Sequence, residues 1–309
     1  MTGFSRMPPA DSPIDDLRRQ IDEIDSALHD LLMRRTEVAV EIGAVKGNDG
    51  GNGAAGTAGA GFLRPGREAM VLRRLVQRHR GALPAAAVVR IWRELMSAVA
   101  RLQGPLAVAV PGQDDQPGFW DLARDHFGSH TPISAHETTG QVLRAVIEGR
   151  ATVGVLPLPQ QDDRDPWWRQ LMIRDAKTPR IIARLPFGTP GTMRGGPVEA
   201  LAVGHVPQER TGRDRSVFVL ESTVEISRSA LGAVLKSATL EVQSIHLWHD
   251  PREAATWLHL IEVEGFLAPN DPRLVRLAKG RGKALRQLCA LGGYAVPFSP
   301  AELGQPART

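Results

Sequence analysis

The sequence predicts a multidomain protein: an all-α N-terminal region, then an α/β middle, then an α+β unit. Three observations carry this. An apolar seam steps by threes and fours from Ile14 to Val45 without a break, which is helical spacing. After residue 105, short apolar runs such as Leu106 to Val110 alternate with helical patterns. Pro/Gly-rich stretches at 103–105, 188–197 and 207–213 separate the regimes. With 309 residues and ~100–200 per domain, boundaries fall at 12–104, 105–208 and 213–298.

Each element has a local reason. Asp11-Ser12-Pro13 is a helix start, a capping residue before a proline early in the first turn. Ile14, Leu17, Ile21, Ile24, Leu28, Leu31, Arg35, Val38, Ile42 and Val45 then mark one helix about 50 Å long. A domain of under 100 residues does not cover such a helix alone, so a second copy is expected to bury the seam. Gly47 to Gly61 is almost all Gly, Ala, Asn and Thr and reads as a flexible linker. A second helix is expected from Arg64-Pro65-Gly66 to His79. A third runs from about Pro84 to Gln103, with Val88, Ile91, Trp92, Leu95, Val99 and Leu102 on one side.

Composition narrows the function. Apolar residues make up 42% and charged residues 23%, which excludes wholesale disorder. One tyrosine and 5% aromatics argue against a stacking platform for single-stranded nucleic acid. Arg73, Arg74, Arg78 and Arg80 read as a solvated helix face rather than a nucleic-acid patch. The single cysteine, Cys289, excludes a disulfide framework and a cysteine-built metal site. No apolar run reaches the ~20 residues of a membrane span, and Met1 to Ser12 has no apolar core. A cytoplasmic protein is expected.

The polar exceptions in the helical region point to chemistry. Arg35 occupies a seam position that calls for Leu, and no acid sits one turn away on the same face. It either snorkels out, pairs with Glu68, or forms an anion site inside a helical bundle. Lys46, the only lysine in the first 176 residues, lies eleven positions on and projects from nearly the same face. Gln103 ends the third helix, where a buried amide needs partners. Arg67 and Glu68 lie in the first turn of the second helix. Arg18 is ~25 Å from Arg35 along the axis and on another face, so the two cannot meet one small ligand within one chain.

These residues resemble the all-helical chorismate mutases. The resemblance rests on Leu17-Arg18, Ile21-Asp22, Ile24-Asp25, Leu31-Leu32, Arg34-Arg35, Ile42-Gly43, Lys46, Arg64-Pro65, Arg67-Glu68, and Arg90 to Glu94 ending at Gln103. It implies an intertwined homodimer of three-helix chains with two shared active sites for chorismate. Arg35 and the partner chain's Arg18 would hold the two carboxylates. Lys46 and Gln103 would donate to the ether oxygen, Glu68 would accept from the ring hydroxyl, and Arg67 would support the hydroxyl or a carboxylate. Two positions depart from the pattern: Val99 stands where the family often has Ser, and Arg64 where it often has an acid. Claisen rearrangement to prephenate moves no proton, so no cofactor, metal, acid or base is implied; fixed positive charge at the ether oxygen suffices.

Residues 105–208 resemble a truncated first lobe of prephenate dehydratase. Pro159, Gln160 and Gln161 stand where that family has Glu-Asn-Ser, and Val198, Glu199 and Ala200 where it has Thr-Arg-Phe. Residues 213–298 resemble an ACT domain, a βαββαβ unit ending at Leu291-Gly292-Gly293-Tyr294. Ser229-Ala230-Leu231 and His246-Leu247-Trp248-His249 depart from its ligand-binding signatures. His246, Trp248, His249 and Asp250 on an exposed strand do not read as a metal site. The expectation is a chorismate mutase with a catalytically inactive tail. The alternatives are a non-enzymatic amino-acid-sensing or assembly protein, or a bifunctional mutase with residual dehydratase activity.

Overall fold

The computed structural model describes residues 13–48, 61–112, 117–161, 163–173, 175–191, 193–249, 256–268, 270–279 and 285–305. Two compact units result, Met1–Gly51 and Asn52–Thr309. The expected helix start at Asp11-Ser12 and most of the expected linker, residues 49–60, lie outside the described residues.

The first unit is one helix, α1 (Pro13–Asn48), with Asp15 and Asp16 in its first turn, where carboxylates complement the helix dipole. Its seam faces outward: Leu17 is 59% exposed and Leu31 62%.

The second unit opens with α2 (Pro65–Arg78) and α3 (Ala85–Gln103), each beginning beside a proline, as expected from sequence. The buried face of α3 differs from the expected one. Val88 and Val99 are buried, but so are Val89, Arg93, Met96, Ser97 and Ala100, whereas Ile91 and Leu102 are exposed. The helix carries two apolar stripes about a quarter turn or more apart, and the neighbours choose between them.

Then follow β1 (Val108–Pro111), α4 (Gly118–Phe127), β2 (Ile133–His136), α5 (Thr139–Ile147), β3 (Val153–Pro157), β4 (Arg180–Leu185) and β5 (Ala200–Gly204). The Thr138 side chain caps α5 by accepting from the Gln141 N–H at 3.2 Å. β1 pairs in parallel with β2 and β3, as βα crossovers require, and β5 joins β3 and β4 antiparallel. The chain ends in β6 (Asp214–Ser222), α6 (Arg228–Ser237), β7 (Val242–His249), β8 (Trp257–Glu264), α7 (Pro272–Lys279) and β9 (Leu285–Ala295). This is the βαββαβ order expected for 213–298, with strands ordered β9-β6-β8-β7.

Both halves share one nine-stranded sheet, β2-β1-β3-β5-β4-β9-β6-β8-β7. The seam between them is thin: β4 and β9 pair at Ile181 and Gly292 alone. Gly292 has φ +118°, and a Cβ there would sit 2.3 Å from the Ile181 carbonyl oxygen, so glycine is required for the strands to meet. One sheet face packs under α5 and the Trp167–Met172 turn, with Trp168 1% exposed. On the other face, α6 and α7 cover Phe218 and Leu220.

Candidate active site

The residues singled out from sequence fall in both units, and each unit is described in its own frame. On α1, Arg18 is exposed and its Nη1 lies 3.3 Å from Asp15 Oδ1. Seventeen residues later Arg35 is half-buried, although its seam neighbours Leu31 and Val38 are exposed. Its Nη1 is buried with no hydrogen-bond partner among the described residues. Burial lowers the guanidinium's pKa from its ordinary value. The backbone of Lys46 continues α1, while its side chain lies outside the described residues.

In the second unit, the first turn of α2 presents Arg67 to solvent and turns Glu68 inward. Within this unit Glu68 Oε2 accepts from Arg93 Nη1 at 2.6 Å. Burial pushes the Glu68 carboxyl up from its ordinary value, against the pull of Arg93. Arg93 is 5% exposed, lies over the Phe187 ring at 5.0 Å, and keeps its Nε buried and without a partner among the described residues. Sequence reading placed Arg93 in a motif without giving it a role. The available signal was an arginine on the stripe that carries Val89, Met96 and Ala100.

Arg64 is held by Glu209, whose Oε1 accepts from Nε at 2.9 Å and also from Nη2. The other oxygen of Glu209 accepts from the Arg67 backbone N–H at 3.0 Å, which caps α2 from a distant loop. Gly66 permits this, because a Cβ there would lie 2.7 Å from the Glu209 Cβ. Val99 is buried at 8% and adds no polar group to the face it shares with half-buried Gln103.

The positions noted in the α/β region come together at one strand end. Pro157 on β3 pairs with Ala200 on β5, so Pro159 to Gln161 and Val198 to Ala200 emerge side by side. Their present partners are structural: Glu199 meets Arg184 at 3.2 Å, and Gln161 accepts from Arg228. On the edge strand β7, Trp248 lies under Arg169 at 3.8 Å and His249 stacks on Trp257 at 4.0 Å. Asp250 lies outside the described residues. No group of three metal-ligating side chains occurs among the described residues, nor any helix long and apolar enough to cross a membrane.

Comparison with known proteins agrees with the helical pattern. The bifunctional chorismate mutase/prephenate dehydratase of Pseudomonas aeruginosa is 36% identical over 146 residues, 46% of this chain and 38% of that protein. The protein of the same description from Neisseria gonorrhoeae is 34% identical over 142 residues, 46% of this chain and 36% of its own. The matched stretch thus spans under two-fifths of either relative. Among solved structures, prephenate dehydratase from Streptococcus mutans aligns at a TM-score of 0.44 and 12% identity, over 62% of this chain and 98% of that one. GqqA, titled a novel type of quorum quenching acylase, aligns at 0.45 and 16%, over 63% and 96%. The sequence model of one family, described as chorismate mutase type II, matches residues 17–104, and those N-terminal helices are therefore a chorismate mutase type II domain.

Proposed function

We propose that this protein converts chorismate to prephenate in aromatic amino-acid biosynthesis, as a homodimer with two shared sites. The observation that carries the proposal is Arg35: a buried guanidinium N–H at a seam position, with no hydrogen-bond partner among the described residues. An unpaired buried donor is costly, and a substrate carboxylate would satisfy it. The exposed seam of α1, with Ile21 57% and Leu28 52% exposed, supports pairing with a second copy, as do Ile91 and Leu102 on α3.

In this reading Arg35 and the partner subunit's Arg18 hold the two carboxylates and select the reactive conformer. Lys46 and Gln103 donate to the ether oxygen, where negative charge grows as the C–O bond breaks and the C–C bond forms. Preorganised donors at that atom stabilise the transition state without a proton transfer. Glu68 accepts from the ring hydroxyl and is itself oriented by Arg93. Arg67 and Arg64 border the hydroxyl end, and Val99 gives up a polar contact. The domains are 12–104 for the mutase, 105–208 for a degenerate dehydratase-like segment, and 213–298 for an ACT-like unit. The last two are catalytically inactive, and the protein works in the cytoplasm without nucleic acid, membrane, metal or cofactor.

Chorismate loss in the presence of EDTA tests the activity; a rate no higher than the uncatalysed background ends this reading. Phenylpyruvate formed from prephenate would instead establish the bifunctional alternative. Shared sites are tested by mixing Arg18→Ala and Lys46→Ala proteins. One site of each mixed dimer then carries both changes and the other carries neither. Random reassociation restores about a quarter of the wild-type activity from two nearly inactive parents. No rise, with mixed dimers confirmed by mass, removes Arg18 from the partner's site.

A further inference from the structure

Beside the thin β4–β9 seam lies a cavity of about 190 Å³ that the proposed mutase chemistry does not use. Its walls are mostly apolar, from Val206, Val217, Phe266, Leu267 and Leu274. It exists because the strands part after the single Ile181–Gly292 pairing, and the neighbours there, Ala290 and Gly292, are too small to fill the gap. An apolar cavity of roughly 150 Å³ accepts a benzene ring, so this one takes such a ring with a small substituent.

The polar groups on the wall determine the substituent. Ser216 Oγ donates its one hydrogen to Gly265 O at 2.9 Å and accepts from Leu267 N at 2.9 Å, so it has no hydrogen left for an anion. Gln208 Nε2 donates to Arg215 O at 3.2 Å. Arg180 is held in place by Nη1 bonds to Leu171 O at 3.2 Å and Ala290 O at 3.0 Å, and it has no carboxylate partner among the described residues. A fixed, half-buried cation facing an apolar space selects an anion, and its planar fork suits a carboxylate.

The same loop that walls the cavity also holds α2. Val206, Pro207 and Gln208 line it, while Glu209 caps the Arg67 N–H and binds Arg64, and Thr211 accepts from Arg73 Nη1 at 2.9 Å. We propose that the cavity binds a compact apolar monocarboxylate, one ring in size, and that its occupancy is felt at the first turn of α2. The proposal is independent of the mutase reading, and its readouts do not involve catalysis.

The test uses the full chain with benzoate, its neutral isostere benzamide, and acetate. Benzoate should raise Tm saturably and bind about tenfold or more tighter than benzamide, with no effect from acetate. Ala290→Leu fills the cavity and should abolish the shift. Arg180→Gln should erase the preference for benzoate over benzamide, and it decides the matter if Ala290→Leu fails to fold. Hydrogen exchange at the Arg67 amide should slow with benzoate in the wild type and not in Glu209→Ala. A benzoate shift that survives Ala290→Leu, a preference over benzamide that survives Arg180→Gln, or no shift at all in the unaltered chain overturns the site. Binding with unchanged exchange at Arg67 overturns the coupling.

Discussion

Leu28 on α1 and Leu220 on β6 are the same residue type in positions the sequence marks as apolar, yet one is 52% exposed and the other 0%. The difference separates the two units. In the sheet unit the apolar faces of the sheet have opposing layers: α5 and the Trp167–Met172 turn on one side, α6 and α7 on the other. In the first unit a single 36-residue helix carries its whole seam outward. Periodicity states which face needs cover; it does not state whose atoms supply it. A sheet of nine strands supplies its own, whereas a lone helix requires another helix.

The largest expected effect attacks the burial of charge in the sheet unit. Arg93→Ala leaves Glu68 buried without its partner and should cost about 3–5 kcal/mol in denaturant unfolding. An unchanged midpoint would mean that Glu68 is satisfied elsewhere. Next, Leu220→Ala should cost about 2–5 kcal/mol at any protein concentration. Leu28→Ala should instead weaken self-association, so that its Tm deficit grows on dilution. Equal, concentration-independent losses for the two would erase the distinction between the units.

The smallest effect is a pH dependence inside the sheet. His259 is 1% exposed, and burial pushes its pKa down to about 4. Ser222 Oγ donates to Val224 O at 2.7 Å, so at the 3.3 Å contact the His259 Nε2–H is the donor and the ring is neutral. Its folded pKa lies below the ordinary 6.5, so between these values the unfolded chain binds the extra proton. Stability then falls as pH drops, by about 2 kcal/mol between pH 7 and pH 5 for this group. In His259→Gln that part of the loss should disappear, and unfolding curves at the two pH values measure it.

Much of the helical region was legible. The second helix, expected at 64–79, is Pro65–Arg78, and the third, expected at 84–103, is Ala85–Gln103, because proline and the apolar period mark both. Arg35 was also legible as an exception, since a guanidinium breaks an otherwise unbroken seam. The buried face of α3 was not. Its 88–102 stripe is the more apolar of the two, yet packing against α2 and α4 buries the 89–100 stripe with Arg93 in it. For the same reason the role of Arg93 was not legible, although it stands on that stripe: its partner, Glu68, is 25 residues away on another helix.

Local chemistry along the chain determined the three regimes, the starts and ends of the helices, and which cations stand where leucine is expected; the βαββαβ order was expected only from a resemblance. Tertiary structure alone decided that β9 docks on β4 through Gly292, merging two expected domains into one sheet with a cavity at the join. It alone decided that Glu209, from the loop before β6, caps α2. The physical reason is range. Caps, turns and periodicity act over a few residues and are written in the order of the chain. Strand-edge pairing and long-range ion pairs depend on backbone hydrogen-bonding groups that every residue carries, so the sequence does not distinguish which edges and which charges will meet.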